Sequence, residues 1–169
     1  GARQFVVQLA LETMWCFAAS YFSWFTPITT VMSSPLAGAE MTRKILIDIV
    51  SDVICPWCFL GKRRLDKALA LLPDIKAGIG WRPFMLDPTI PLEGMDRRTY
   101  LANKFGEERL ATLHDPLEAA GREDGVPYRF DLVKRTPNTL NAHRLLRWSH
   151  ATGQQHDVAE RLFMAYWNE

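Results

Sequence analysis

Cys55 and Cys58 stand two residues apart, with Pro56 and Trp57 between them, a spacing at which two thiols can close a small disulfide ring. The pair is entered from the apolar run Ile45-Leu46-Ile47-Asp48-Ile49-Val50 and left through the helix-compatible stretch Leu60 to Leu72. A strand-to-helix junction exposes such a ring to partners and aims the helix's free N–H groups at the first sulfur. The chemistry this constellation suits is dithiol/disulfide exchange.

Each residue of the motif has a physical reason. Pro56 fits the first turn of a helix, because its ring presets φ and its missing N–H has no intrahelical partner there. Cys55 then sits at the cap, where the positive end of the helix dipole favours a thiolate, and it is the expected nucleophile with a pKa below that of a free thiol. Cys58, one turn in, is the expected resolving cysteine, which attacks Cys55 and releases the partner. Trp57 covers the rim and offers apolar contact. The competing reading is half of a zinc knuckle, but a structural zinc site takes four ligands. Only Cys16 and the scattered His114, His143, His150 and His156 remain, none at knuckle spacing with a cysteine.

Composition bounds what surrounds the motif. The chain has 169 residues, 48% of them hydrophobic, with a net charge of +1, enough for one domain with a buried core. The near-neutral balance argues against nucleic acid as a partner. Lys62-Arg63-Arg64 with Lys67 fall opposite Leu65, Ala68, Leu69 and Leu72 and read as the solvated face of an amphipathic helix. Three cysteines in such a length are no disulfide scaffold.

Residues 1 to 40 differ from the rest of the chain. No charge occurs from Thr13 to Ala39, a length that would qualify as a membrane span over residues 13–32, though Ser20, Ser23, Pro27, Thr29 and Thr30 interrupt it. Ala37-Gly38-Ala39 resembles a signal-peptidase site. The favoured reading is an apolar extension outside the domain, with the domain opening at Met41 and a cytoplasmic location; export follows if residues 1–39 act as signal or anchor. Beyond Met41 the pattern predicts a strand over Lys44 to Val50, buried on both faces. A helix from Pro56 to Leu72 stopped by Pro73 comes next, then a strand over Ile79 to Leu86. Helices are expected over Asp96 to Phe105, Glu107 to Ala120 with a break at Pro116, Asn138 to Ala151, and Gln154 onward. Thr136-Pro137 is read as cap and first turn of the third of these. The fold class is α/β: a thioredoxin fold opened by a helical insertion, with residues 41–90 supplying strand, helix and strand and 91–169 the insertion.

Three separated motifs make that more specific. Ser51-Asp52-Val53-Ile54-Cys55-Pro56-Trp57-Cys58-Phe59-Leu60-Gly61-Lys62-Arg63-Arg64 closely resembles the active-site stretch of DsbA-like thioredoxin proteins of the FrnE-like subgroup. Trp81 to Pro88 and Thr136 to Leu145 resemble that subgroup's second strand and helical-domain motif. The resemblance implies a thiol-disulfide oxidoreductase with Cys55 as nucleophile and Cys58 as resolving cysteine. Its partners would be proteins or small molecules carrying thiols or disulfides, and no cofactor is implied beyond the Cys55/Cys58 disulfide, with glutathione as a candidate substrate. Wider relatives include glutathione-dependent 2-hydroxychromene-2-carboxylate isomerases and kappa-class transferases, which generally carry serine at the first position and lack the second cysteine. A glutathione-dependent isomerase or transferase is therefore the second reading. Family members continue past a segment like Phe163 to Glu169 into further helix and then a strand preceded by a cis-proline that faces the cysteines. Measured against them the sequence looks like a fragment at both ends, and an inactive fragment is the third reading.

Other residues have plain readings beside their chemical ones. Asn138 and Asn141 share a helical face; in the resembling relatives the Pro-Asn pair approaches the thiols, which implies that Asn138 holds a peptide or glutathione backbone, whereas a cap is the plainer reading. His143 reads as a surface or packed histidine and Asp52 as a turn residue rather than a charge acting on the thiols. Trp148, Phe163, Tyr166 and Trp167 read as core. Cys16 reads as an inert apolar thiol.

Overall fold

The computed structural model describes residues 3–8 and 43–169. The stretch from Thr13 to Ala39, with its readings as span, signal or extension, and Cys16 lie outside the described residues. Strand β1 (Arg3–Gln8) belongs to the segment that sequence sets apart from the domain, and it pairs in parallel with β2 (Arg43–Ser51), Arg3 opposite Ile45 through Gln8 opposite Val50. β2 pairs on its other side, again in parallel, with β3 (Ile75–Pro83), so the sheet order is β1-β2-β3 with β2 at the centre.

Helix α1 (Pro56–Ala70) joins β2 to β3, the crossover that parallel strands require. Beyond β3 come the short strand β4 (Met95–Asp96), helix α2 (Arg97–Phe105), helix α3 (Asp115–Asp124), the short strand β5 (Arg135–Thr136), and helices α4 (Leu140–Ser149) and α5 (Gln155–Trp167). β4 and β5 form a two-stranded antiparallel ribbon, while α4 and α5 pack on β3 and on each other. The core gathers where these helices meet the sheet: Ile49, Cys58, Phe59, Phe163 and Trp167 are wholly buried, with Phe59 and Phe163 stacked at 5.2 Å.

Several expectations are corrected. β2 is central but not covered on both faces, since Ile47 and Ile49 point into the core while Leu46 stays 49% exposed; the helices pack on the face those isoleucines share. β3 begins at Ile75 rather than Ile79, because register with Arg43 to Leu46 extends the pairing through Lys76-Ala77-Gly78, residues with weak strand preference of their own. Pro116 opens α3 instead of breaking a longer helix, as its missing N–H suits a first turn. Thr136 is a ribbon residue opposite Met95 and not a cap; α4 starts at Leu140, whose N–H is taken by the Asn138 side chain at 3.0 Å. Lys62 is not on a solvated face: it is 3% exposed, with its ammonium 2.8 Å from Asp66 and 2.9 Å from Glu160. Arg64 and Lys67 do face outward and pair with Asp124. Trp148, read as core, is 71% exposed, because α4 turns His143, Leu146 and Ser149 inward and Trp148 lies off that stripe.

Candidate active site

The cysteines occupy the turn between β2 and α1. β2 ends at Ser51, Asp52 comes next, and the Asp52 carbonyl accepts the Cys55 N–H at 3.0 Å. Cys55 has extended backbone (φ −92°, ψ 110°) and is the residue before the helix, with Pro56 in its first turn. Both cysteines are unbridged; Cys55 is 6% exposed and Cys58 is fully buried. Trp57 is partly buried and packs against the core at the edge of the site.

Three distant residues hold this turn. The Trp167 indole N–H donates to the Val53 carbonyl at 3.1 Å, and the Tyr128 hydroxyl donates to the Pro56 carbonyl at 2.6 Å. Asp52 Oδ2 accepts the Leu86 N–H at 2.7 Å. Tyr128 reaches Pro56 because α3 passes close by at Gly121, where a Cβ would lie 2.8 Å from the Val126 carbonyl and 2.9 Å from the Tyr128 ring. Burial, and secondarily the sulfur charge at Cys55, push the Tyr128 phenol well above its ordinary range. It stays a donor to Pro56.

The two sulfurs act on each other electrostatically. The Cys55 side chain makes no capping hydrogen bond, and the Cys58 N–H goes to the Cys55 carbonyl at 3.1 Å. In the dithiol the Cys55 thiol donates to Cys58, and that bond, burial and the neighbouring sulfur's charge raise Cys55 well above the free-thiol value, with the Cys58 N–H pulling weakly the other way. Cys58 is lowered by accepting from Cys55, helped by the Ser51 hydroxyl and the Asp52 N–H against the cost of burial. The two sulfurs thus titrate as a pair that shares one proton.

Of the other residues singled out in sequence, Asn138 spends its amide on the Ile90 carbonyl at 2.7 Å and the Leu140 N–H. Among the described residues it makes no hydrogen bond to either cysteine. Asn141 accepts from Arg144 on the exposed side of α4. Asp52 is a turn residue and also a charge: it is fully buried, and its carboxylate raises both thiols. His143 is buried, with Nε2 3.3 Å from Asp52 Oδ1. Sequence reasoning missed Tyr128 altogether and placed Trp167 only as core; the spacing Thr139-His143-Leu146 on one helical stripe was the available signal that His143 faces inward. Among the described residues no cluster of three or more His, Cys, Asp or Glu converges in a way that could hold a metal ion. No described helix is long and apolar enough to cross a membrane.

A strand, a turn carrying two unbridged cysteines, a helix and a parallel strand define a thioredoxin-like α/β protein with a helical insertion. The family model of the DSBA-like thioredoxin domain matches residues 46–169, and the chain belongs to that family. It is similar to the uncharacterised protein YwbO of Bacillus subtilis, 24% identical over 123 residues that make up 73% of this chain and 56% of that protein. It is also similar to the crystal structure of the probable DsbA oxidoreductase SCO1869 from Streptomyces coelicolor. There the TM-score is 0.64 at 28% identity, over 73% of this chain and 54% of the other. The chain therefore spans just over half the length of the relatives it matches.

Proposed function

We propose that the chain carries the dithiol half of a thiol-disulfide oxidoreductase, with Cys55 exchanging with partners and Cys58 resolving. The observation that carries this reading is the unbridged Cys55–Cys58 pair at the start of α1, of which Cys55 is 6% exposed and Cys58 fully buried. In the oxidising direction a partner thiolate attacks Cys55 Sγ and Cys58 leaves as thiolate. A second partner thiolate then attacks the partner's own sulfur in the mixed disulfide and expels Cys55, so two electrons pass to the chain and the partner gains a disulfide. Reduction of a partner disulfide is the same path reversed, opened by Cys55. Access rather than acidity selects Cys55, and the proton it shares with Cys58 is handed over as it attacks. The three sequence motifs support the FrnE-like subgroup, and both cysteines being present favours exchange over glutathione-dependent isomerisation.

The test is trapping. Incubated with a disulfide-bearing protein such as insulin, Cys58→Ser chain should accumulate a mixed disulfide on Cys55, and Cys55→Ser chain none. Adducts on Cys58, or equal insulin reduction by the Cys55→Ser variant, would overturn the assignment.

A further inference from the structure

The helical segment holds a cavity of about 300 Å³, bounded by the start of α2, the stretch ahead of α3 and the loop ahead of β5. Neither cysteine lines it. The group that sets its chemistry is Arg97, which is only 7% exposed yet makes no ion pair among the described residues. Its guanidinium is held from behind: Nη1 donates to the Tyr166 hydroxyl at 3.1 Å, and the carbon lies 5.0 Å from the Trp167 ring centre and 6.0 Å from that of Tyr166. Tyr166 is fixed in turn by donating to the Arg135 carbonyl at 3.2 Å. A buried charge is costly unless an opposite charge or further acceptors meet it, and one phenol oxygen leaves most of the guanidinium's donors unused.

The carboxylates at hand are committed elsewhere. Asp96, which also lines the cavity, accepts the Thr99 N–H and hydroxyl, both at 2.8 Å, as the cap of α2. Glu107 pairs with Arg98, and Asp131 with Arg129. Around Arg97 the remaining wall is mostly apolar, made by Leu101, Leu110, Phe130 and Val133. His114 stacks flat on Phe130 with ring centres 3.9 Å apart, and its Nε2 is shielded from solvent without a hydrogen-bond partner among the described residues. An orphaned buried polar atom marks a place where a partner is wanting. Burial, and then the Arg97 charge, hold the His114 imidazole below its ordinary pKa, so near neutral pH it adds no second buried charge.

We propose that this cavity binds a small organic anion, a carboxylate paired with Arg97 and carried on a short aliphatic body that lies against Leu101, Leu110 and Val133. A fixed guanidinium suits a carboxylate, which it can meet with two parallel hydrogen bonds. A volume at the lower end of small-molecule pockets admits a body of a few carbons. Exposed Lys134 adds positive charge around the site. No residue is shared with the turn that carries the cysteines, so the site neither needs nor tests the oxidoreductase reading.

The experiment is a titration of the full chain with hexanoate, followed through the NMR signals of the histidine ring Cε1–H groups, that of His114 being assigned from its loss in His114→Asn. The His114 signal should shift and saturate with a Kd of about 1 mM or tighter, while those of His143, His150 and His156 stay in place. Hexanamide has the shape without the charge and acetate the charge without the body; each should bind about tenfold more weakly or worse. Arg97→Gln should abolish the hexanoate shift. Equal binding of hexanoate and hexanamide overturns the proposal, as does a shift that fails to saturate, one shared by all four histidines, or one that persists in Arg97→Gln. Because Arg97 also anchors Tyr166, that variant can fail to fold, and the comparison of hexanoate, hexanamide and acetate on the parent chain then decides the matter.

Discussion

At the scale of single residues, the site is governed by who holds the proton between two sulfurs. Cys58 raises Cys55 both by accepting its hydrogen bond and by carrying charge, so replacing Cys58 by serine removes both causes and puts a neutral donor in their place. Cys55 should then titrate lower. Its alkylation by iodoacetamide near neutral pH should speed by about threefold for each tenfold gain in thiol acidity, since intrinsic nucleophilicity falls with pKa and offsets part of the gain in thiolate; a slower rate would contradict the shared-proton account. The cysteines themselves were legible from spacing, because two thiols separated by a proline and one more residue before a helix have few other uses. The surroundings that act on their acidity were not: the Cys55 sulfur lacks a capping bond, and a carboxylate on the same turn has its burial completed by α4 and the Leu86 backbone, and no local sequence window contains all of these.

At the scale of elements, helix faces decide which aromatic residues matter. Phe163 on α5 is fully buried and stacks on Phe59 in α1, one residue beyond Cys58, whereas Trp148 on α4 stands in solvent. Phe163→Ala should cost about 3–5 kcal/mol, while Trp148→Ala should change stability by less than about 0.5 kcal/mol, both read from urea unfolding midpoints. Equal costs would mean that α4 turns a different face to the core. Periodicity alone made the two look alike, because an amphipathic pattern gives the existence of a face and not the direction it is turned when arginines border it on both sides. The same limit applies to Lys62: a cation in a run of cations reads as solvated until Glu160, about a hundred residues on, is brought over it. Strand and helix order from β2 to β3 was legible because the apolar run, the proline and the cysteines all mark the same junction. The start of β3 was not, since pairing with β2 extends it beyond its own propensity.

At the scale of the whole molecule, one polar chain fastens α1 to β3 and α5. The Trp81 indole on β3 donates to His156 Nδ1 at 3.3 Å, and His156 Nε2 meets Asp66 on α1 at 2.6 Å. Lys62 bonds the other Asp66 oxygen, and Glu160 on α5 receives both Lys62 and Arg63. Burial would raise the Asp66 pKa, but its bonds from Lys62 and His156 prevail and lower it below 3.8. A group whose folded pKa is depressed contributes stability above its unfolded pKa and loses it as pH falls through the folded one. Acidification from the ordinary carboxylate value downward should therefore weaken the fold, and Asp66→Asn should lower stability at neutral pH and flatten that part of the acid slope in a denaturant series. An acid slope as steep in the variant as in the parent would place the loss elsewhere. Asp66 is about a third exposed, so solvent screens part of the effect.

The indole bond from Trp167 to Val53 bridges 114 positions of sequence, and that span is also an interval of time. A ribosome adding roughly 5–20 residues per second needs on the order of ten seconds to travel from one to the other. Throughout that interval Cys55 and Cys58 have already been made, while the side chain that clamps their turn, and the Phe163 ring that covers Phe59 beside them, have not. The fully buried sulfur of the finished site thus owes its concealment to residues made more than a hundred positions later.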